Sequence, residues 1–395
     1  MNTLLSPFQE FWKKGDKLLL LLCLLASVYG VALIFSATRY NGNNRAVITQ
    51  CVAILLGAVI YILCTFIDFQ LFVEKNWKLV FGVSVLFILL LLTPLGTDHD
   101  AGNLNWLDIP GFPMEIQPNE IDKLPFILLL ALLITKIQSQ GRDIGSVLSV
   151  LQIGAYAAFM LGLIAAVCGD MGMCVVYTFI FATMAWSAGV KLRWFVLAIG
   201  AVVIGFAVLW IFVLPNTAAW DSVYFIKRIR VIFDHSFDPH GVGLQQTRSV
   251  LAIGSGQIFG KGYLQGSMTH STTGALPARD TDFIFAVCGE ELGMVGCLLL
   301  LALLTAIVVR CIWVSRRAGS PYCAYVCMGM AGMLMAQIVL NVGMCLYVLP
   351  VMGLTLPFIS YGGSSIITLY ACMGLVSGVK TRSLPSLLRD RGQLS

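Results

Sequence analysis

The sequence predicts an all-α polytopic membrane protein of about ten transmembrane helices, with one large extracellular loop between the seventh and the eighth. Three observations carry that prediction. Of the 395 residues, 58% are hydrophobic and only 11% charged, with a mean hydropathy of +0.87, whereas soluble domains carry about 25% charged residues. Apolar stretches of membrane length recur from end to end. The basic residues sort onto alternate connections between those stretches.

A spanning helix needs about twenty apolar residues. That ruler places spans at 18–36, 46–67, 77–95, 123–137, 146–168, 172–189, 193–214, 283–314, 324–348 and 357–379. Lys13, Lys14 and Lys17 precede the first in the manner of a signal peptide, but no small-residue cleavage site follows, so this span is expected to be retained. The fourth is short. Only Gly169-Asp170 divides the fifth from the sixth, so 163–180 is alternatively one broken span.

An even count puts both termini on one side. Lys75, Lys78, Lys136, Arg142, Lys191, Arg193 and the basic C-terminal segment then fall with them, and the short opposite segments keep only Arg39, Arg45 and Lys123. The positive-inside rule therefore predicts cytoplasmic termini and an extracellular loop over 215–282, within a single domain of 1–395. No repeat or soluble domain is evident, and no nucleic-acid partner is expected. All twelve cysteines lie in or beside apolar segments without a C-x-x-C pair, as fillers of helix interfaces do. The four histidines lack zinc-like spacing.

Two outer segments are substantial. Residues 96–122 are acidic and turn-rich. In the long loop, 220–233 alternates basic and apolar residues, which suits a helix on the membrane surface with Lys227, Arg228 and Arg230 towards anionic lipid head groups; a solvated loop helix is the alternative. The loop returns to hydrocarbon at Thr281-Asp282-Phe283-Ile284-Phe285. Two readings of Asp282 are open. It is a helix cap, a role Thr281 fills equally well, or it is a partly desolvated carboxyl suited to proton transfer or ion binding.

Glu290 and Glu291 follow, about 12–14 Å further along a regular helix. Adjacent acids inside a span are paired or functional, and pairing with a base on another helix is expected here. Glu120 and Lys123 are spaced to meet on one helix face at the start of the fourth span, as a helix-end salt bridge or as the lining of a cavity. Asp170 is an isolated acid between spans. Pro350 to Ser365, with two prolines and Gly353, Gly362 and Gly363, cannot form a regular helix, and such backbone is tolerated where protein buries it or where it lines a watery cavity. Gln337 and Asn341 turn amides towards the same region.

Together these motifs resemble the SEDS family (shape, elongation, division and sporulation; RodA, FtsW and SpoVE). The resemblance rests on Trp106-Leu107, Gln117-Pro118-x-Glu120-x-x-Lys123, Asp170-Met171-Gly172, Asp238-Pro239-x-Gly241-x-Gly243-x-Gln245, Ala252 to Gly256, Leu276-Pro277 with Thr281 to Ala286, Glu290 to Gly293, and Leu356 to Ser365. It implies a peptidoglycan glycosyltransferase that polymerises lipid II outside the cytoplasmic membrane, with undecaprenyl pyrophosphate leaving and a class B penicillin-binding protein as partner. Asp282 matches the family's essential aspartate, as general base or as the group that orients the acceptor hydroxyl. The implied substrate-binding residues are Arg228, Arg230, Arg248, Gln245, Lys261, Ser360 and Ser364. The arginines, with a divalent cation (Mg or Mn) as a further candidate, would balance the pyrophosphate. The Glu120–Lys123 pair resembles an ion pair lining the family's central cavity.

The chain departs from the family pattern at several places. Ala278 stands where a Glu is usual, Asp280 for His, Asn105 for Arg, Asn119 for Ser, Gly169 for Pro and Arg248 for Gln. If Asp280 lies near Asp282, its like charge raises a carboxyl pKa. The rival readings are a transporter of the lipid-linked precursor and a non-catalytic scaffold for a transpeptidase.

Overall fold

Asp16 opens the first spanning helix. Its carboxylate accepts from the Leu19 amide, which caps that helix, and it also takes the Arg310 guanidinium at 2.9 Å and the Lys380 ammonium at 3.7 Å. The start of the chain thus meets the end of its last helix at one face of the bundle. In this computed structural model residues 2–39, 44–97, 103–109, 111, 115–213, 224–233, 242–271 and 276–383 are described.

The helices are α1 (Asn2–Lys14), α2 (Lys17–Thr38), α3 (Arg45–Phe66), α4 (Phe69–Leu89), α5 (Pro118–Ser139), α6 (Val147–Cys168), α7 (Met171–Ser187), α8 (Leu192–Val208), α9 (Tyr224–Phe233), α10 (Val242–Gly256), α11 (Ile284–Arg316), α12 (Pro321–Cys345) and α13 (Gly363–Arg382). A two-residue hairpin, β1 (Gly96–Thr97) with β2 (Trp106–Leu107), pairs Gly96 with Leu107 ahead of α5. Ten of these helices occupy the ten expected spans, and α9 and α10 fall in the loop. Eight of the ten are long and apolar enough to cross a membrane by length and composition. Of the other two, α7 has 17 residues, and α5 carries Glu120, Asp122 and Lys123 in its loop-face turns.

The two spans expected at 146–168 and 172–189 hold, while two other expectations shift. α6 and α7 are separate helices, because Gly169 takes a left-handed φ of 66° and the Asp170 carboxylate caps α7 through the Met173 amide. α4 begins at Phe69 rather than 77: Asp68 caps it through the Leu71 amide, so Lys75 and Lys78 lie inside the helix. The last span begins at Gly363 rather than 357, and residues 351–362 are irregular. α1 was not foreseen; it buries Phe11 edge-on against Tyr61.

α12 and α13 are the most buried spans, while α8 buries no residue. α13 crosses α3 at glycine contacts. A Cβ at Gly374 would lie 2.6 Å from the Tyr61 carbonyl oxygen, and one at Gly378 2.6 Å from that of Thr65. Such close backbone approach substitutes for a hydrophobic drive between helices that lipid cannot supply. Gly374→Leu is therefore expected to destabilise the bundle by about 1–3 kcal/mol or more, read as a lower Tm of the detergent-solubilised protein. Gly82→Leu, with nothing within 4 Å of its Cβ position, should leave Tm unchanged.

Candidate active site

The turn that carries Asp282 is held by its own carbonyls. Ala278, at a φ of 46°, offers its carbonyl to the amides of Thr281 (3.3 Å) and Phe283 (3.0 Å). The carbonyls of residues 280, 281 and 282 are taken by distant residues. That of Asp280 accepts from the Tyr361 amide (2.9 Å), that of Thr281 from Ser360 Oγ (2.7 Å), and that of Asp282 from Asn341 Nδ2 (2.9 Å) and Cys345 Sγ (3.6 Å). The cap reading fails: Phe283 holds the cap position of α11, with no side-chain cap bond from Thr281 or Asp282.

The Asp282 side chain is thus free for other work. It is partly buried, and burial foremost pushes its carboxyl up to about 6; Asp280 and Asp170 add to the rise and Arg228 opposes it. The like-charge effect expected of Asp280 is therefore present. A Cβ on Gly353, itself at a φ of 66°, would lie 3.9 Å from Asp282 Oδ2. Arg228 on α9 donates to the Val351 carbonyl at 2.8 Å, which docks the helix against the same segment.

A second group of polar side chains lies behind the first. Lys123 Nζ meets Glu120 Oε2 at 2.7 Å with both side chains buried. The same oxygen accepts from Ser365 Oγ (3.0 Å), and Oε1 accepts from Gln337 Nε2 (3.4 Å). The pair is thus a buried ion pair near the start of α5, enclosed by side chains of α12 and α13. Asp122, one residue round the helix, faces away and accepts from Ser84 and Tyr177.

Asp170 connects the two groups. Its carboxyl is pushed up to about 6, chiefly by burial and in part by Glu120, while the Met173 amide and Asn105 oppose the rise. Its own charge in turn raises Asp282. Asn105 Nδ2 donates to Asp170 at 2.8 Å, and Asn119 Nδ2 donates to Asn105 Oδ1 at 3.2 Å. Two of the residues that depart from the family pattern are therefore bonded to each other, and one of them, Asn105, bonds to the shared acid.

The remaining candidates divide. Ser360 is buried, with its hydroxyl committed to Thr281 and to the Leu356 amide, so it positions the Asp282 turn. Ser364 has no side-chain hydrogen bond among the described residues; its neighbour Ser365 reaches Glu120. Arg230 and Arg248 are partly buried with interactions of their own. Gln245 is partly buried too, and it is Gln246 that anchors α10, donating to the carbonyls of Met344 and Leu349. Asp238 to Gly241 and His235 lie outside the described residues, as do 214–223 and 272–275.

Lys261 is engaged with Glu290 at 2.8 Å, and here the structure corrects the sequence reading. Glu290 and Glu291 do not pair with a base on another helix. α11 breaks at Gly293, with a φ of 66° and a ψ of −164°, where a Cβ would lie 2.3 Å from the Gly260 nitrogen. Residues 257–262 run alongside the break. Lys261 and Gly262 amides donate to the Glu290 and Glu291 carbonyls, and Met294 and Val295 amides donate to those of Gln257 and Ile258. The Glu290 carboxylate accepts from Lys261, Ser267, the Met268 and Thr269 amides and Thr269 Oγ1, and Glu291 accepts from Ser36 and the Leu264 amide with His270 Nε2 at 2.9 Å. These acids staple the long loop to the bundle. Gly293 interrupts the regular helix, so a depth of about 12–14 Å reckoned along an unbroken one does not describe these acids.

Among the described residues no three metal-ligating side chains converge. A Mg²⁺ ion shared with substrate phosphates needs only one or two carboxylates. Asp282, on which the charges of Asp280 and Asp170 act, would offer such a carboxylate, and the ion would supply the charge neutralisation for a diphosphate.

The family model FTSW_RODA_SPOVE, described as "Cell cycle protein", matches residues 16–384. The chain is 32% identical to "Peptidoglycan glycosyltransferase MrdB" of Escherichia coli (strain K12), over 94% of this chain and 96% of that one. It is 30% identical to "Probable peptidoglycan glycosyltransferase FtsW" of Bacillus subtilis (strain 168), over 90% and 86%. Among solved structures it superposes on a chain described under "Structural coordination of polymerization and crosslinking by a peptidoglycan synthase complex" with a TM-score of 0.75, at 28% identity, covering 94% of this chain and 99% of the other. The Rod shape determining protein RodA of Thermus thermophilus gives a TM-score of 0.65 at 26% identity, covering 95% and 97%.

The Glu120–Lys123 pair generates a stability test. Lys123→Ala leaves a buried carboxylate uncompensated and is expected to destabilise by about 3–5 kcal/mol. The double change Glu120→Gln/Lys123→Met should recover most of that loss in a thermal-unfolding series.

Proposed function

The chain belongs to the FtsW/RodA/SpoVE family, and we propose that it polymerises lipid II into glycan strands on the outer face of the cytoplasmic membrane, with Asp282 at the reacting centre. The observation that carries this reading is the carboxyl itself. Its turn is fixed by bonds to the carbonyls of residues 280, 281 and 282, burial pushes the group up to about 6, and the Arg228 charge acts on it. A general base works best with a pKa near the operating pH.

In the proposed reaction the acceptor sugar's 4-hydroxyl oxygen bonds to the anomeric carbon of the donor. The bond from that carbon to the diphosphate breaks, and its electron pair leaves with undecaprenyl pyrophosphate. The hydroxyl proton passes to Asp282. Arg228 and Arg230 of α9, with Arg248 of α10, balance the leaving charge. Ser364 and Gln245 are candidates for sugar contacts, and Lys261 acts through Glu290 to hold the loop over the site.

Charge bias supports an orientation with both termini in the cytoplasm and the loop face outside. The likeness to a chain of a peptidoglycan synthase complex supports a class B penicillin-binding protein as partner, cross-linking the strands this chain would make. A transporter would need its polar groups near the midplane, whereas Asp282 stands at the end of a span.

The test is polymerisation of lipid II by the purified protein with its transpeptidase partner. Asp282→Asn is expected to lower the rate by about 10²–10⁴-fold, the span of general-base contributions; polymer made at the wild-type rate would overturn the assignment. Because only the ionised carboxylate accepts a proton, activity should fall as pH drops through about 6. Asp280→Asn removes a raising charge and should move that limb to lower pH. Arg228→Gln removes the opposing charge and should move it higher.

A further inference from the structure

Between α4 and α5, remote from Asp282, lies a cavity of about 460 Å³ that the reaction does not use. Its lining follows two helix faces. Glu74, Trp77 and Phe81 come from α4; Leu129, Leu132, Leu133 and Lys136 come from α5, and Tyr156 closes the far end. On α5 these are positions i, i+3, i+4 and i+7, so the groove runs for about 10 Å along the helix. At its mouth, on the face where Asp16 meets the end of α13, stand one acid and one base, both exposed. Lys136 forms no ion pair or side-chain hydrogen bond among the described residues, and Glu74 receives only the Gln70 amide. At the closed end Tyr156 stacks on Phe126 at 5.4 Å, with the Phe81 ring 6.4 Å away. α4 is broken at Asn76, between Glu74 and Trp77, where φ is −117° and the side-chain amide donates to the Phe72 carbonyl. The irregularity thus falls within the mouth of the groove.

We propose that this groove binds a zwitterionic aminophospholipid, with one acyl chain between α4 and α5, its phosphate on Lys136 and its ammonium on Glu74. The shape calls for a chain: one apolar slot, walled by leucines and closed by stacked rings. The mouth calls for both signs of charge within one head group, which phosphatidylglycerol lacks. Trp77 is exposed at the mouth, the depth at which indole rings sit in bilayers. This inference stands on the groove alone and is independent of the polymerase reading.

Native mass spectrometry of the full chain, titrated with phosphatidylethanolamine or phosphatidylglycerol, tests it without any activity readout. One phosphatidylethanolamine should be retained more tightly than phosphatidylglycerol. Glu74→Gln should erase that preference, and Lys136→Gln should weaken both lipids by about fivefold, the worth of one basic residue at a membrane surface. Leu133→Trp, which fills the slot, should abolish retention, while Leu79→Trp on the exposed face of α4 should not. Equal retention of the two lipids by the wild type would overturn the proposal, as would retention undiminished by Leu133→Trp. The exposed Glu74 and Lys136 variants leave the packing alone, so the test survives a misfolded tryptophan variant.

Discussion

Backbone that leaves the helix inside or at the edge of a membrane must find hydrogen-bond partners in the protein, and the segment from Val351 to Gly362 shows what this demands. Arg228 takes the carbonyl of Val351, Asn341 that of Leu354 and Gln50 that of Ser360. The Leu356 amide goes to Ser360 Oγ and the Gly362 amide to Gln50 Oε1. Gly30 of α2 and Gly172 of α7 admit it at backbone distance, with Cβ positions 2.6 Å from the carbonyl oxygens of Ile359 and Met352. One unhelical stretch therefore binds α2, α3, α7, α9 and α12 to one another, and through Ser360 and Tyr361 it also holds the Asp282 turn. The acid is as rigid as that web.

Much of this was legible in the residues. Hydropathy gave the ten helices, because burial in lipid requires long apolar runs whatever their neighbours. The prolines and glycines between Pro350 and Gly363 announced irregular backbone, and the spacing of Glu120 and Lys123 announced their pair. What was hidden depends on contacts across hundreds of residues. Nothing local says that the carbonyls of 280, 281 and 282 will be shared among Tyr361, Ser360 and Asn341, nor that Ser365 rather than Ser364 turns to Glu120. The signal for Glu290 and Glu291 was present in Gly293, whose left-handed φ ends the regular helix, but a glycine in a long apolar run reads equally well as a packing contact.

Charge placement follows one rule throughout. Each buried carboxylate among the described residues that was singled out in the sequence is met by donors: Glu120 by Lys123, Ser365 and Gln337, Asp170 by Asn105 and the Met173 amide, Glu290 by Lys261 and a loop of amides. Asp282 differs. Its carbonyl is well bonded while its carboxyl is opposed mainly by Arg228 at the edge of the site. The other acids are satisfied by their neighbours; the Asp282 carboxyl receives no hydrogen bond among the described residues.

The ion cluster at Asp16 has a consequence for how the chain is made. Asp16 lies 294 residues ahead of Arg310, and its amide bonds to Ser377, 361 residues on. At about 5–20 residues per second of synthesis, the first helix waits roughly 15–60 seconds for its cationic partner. During that wait a carboxylate at the helix end can stay hydrated only at the membrane surface. The bundle therefore closes late, when the last helices arrive, and a ribosome that stops before Arg310 leaves a chain with Asp16 still without its cations.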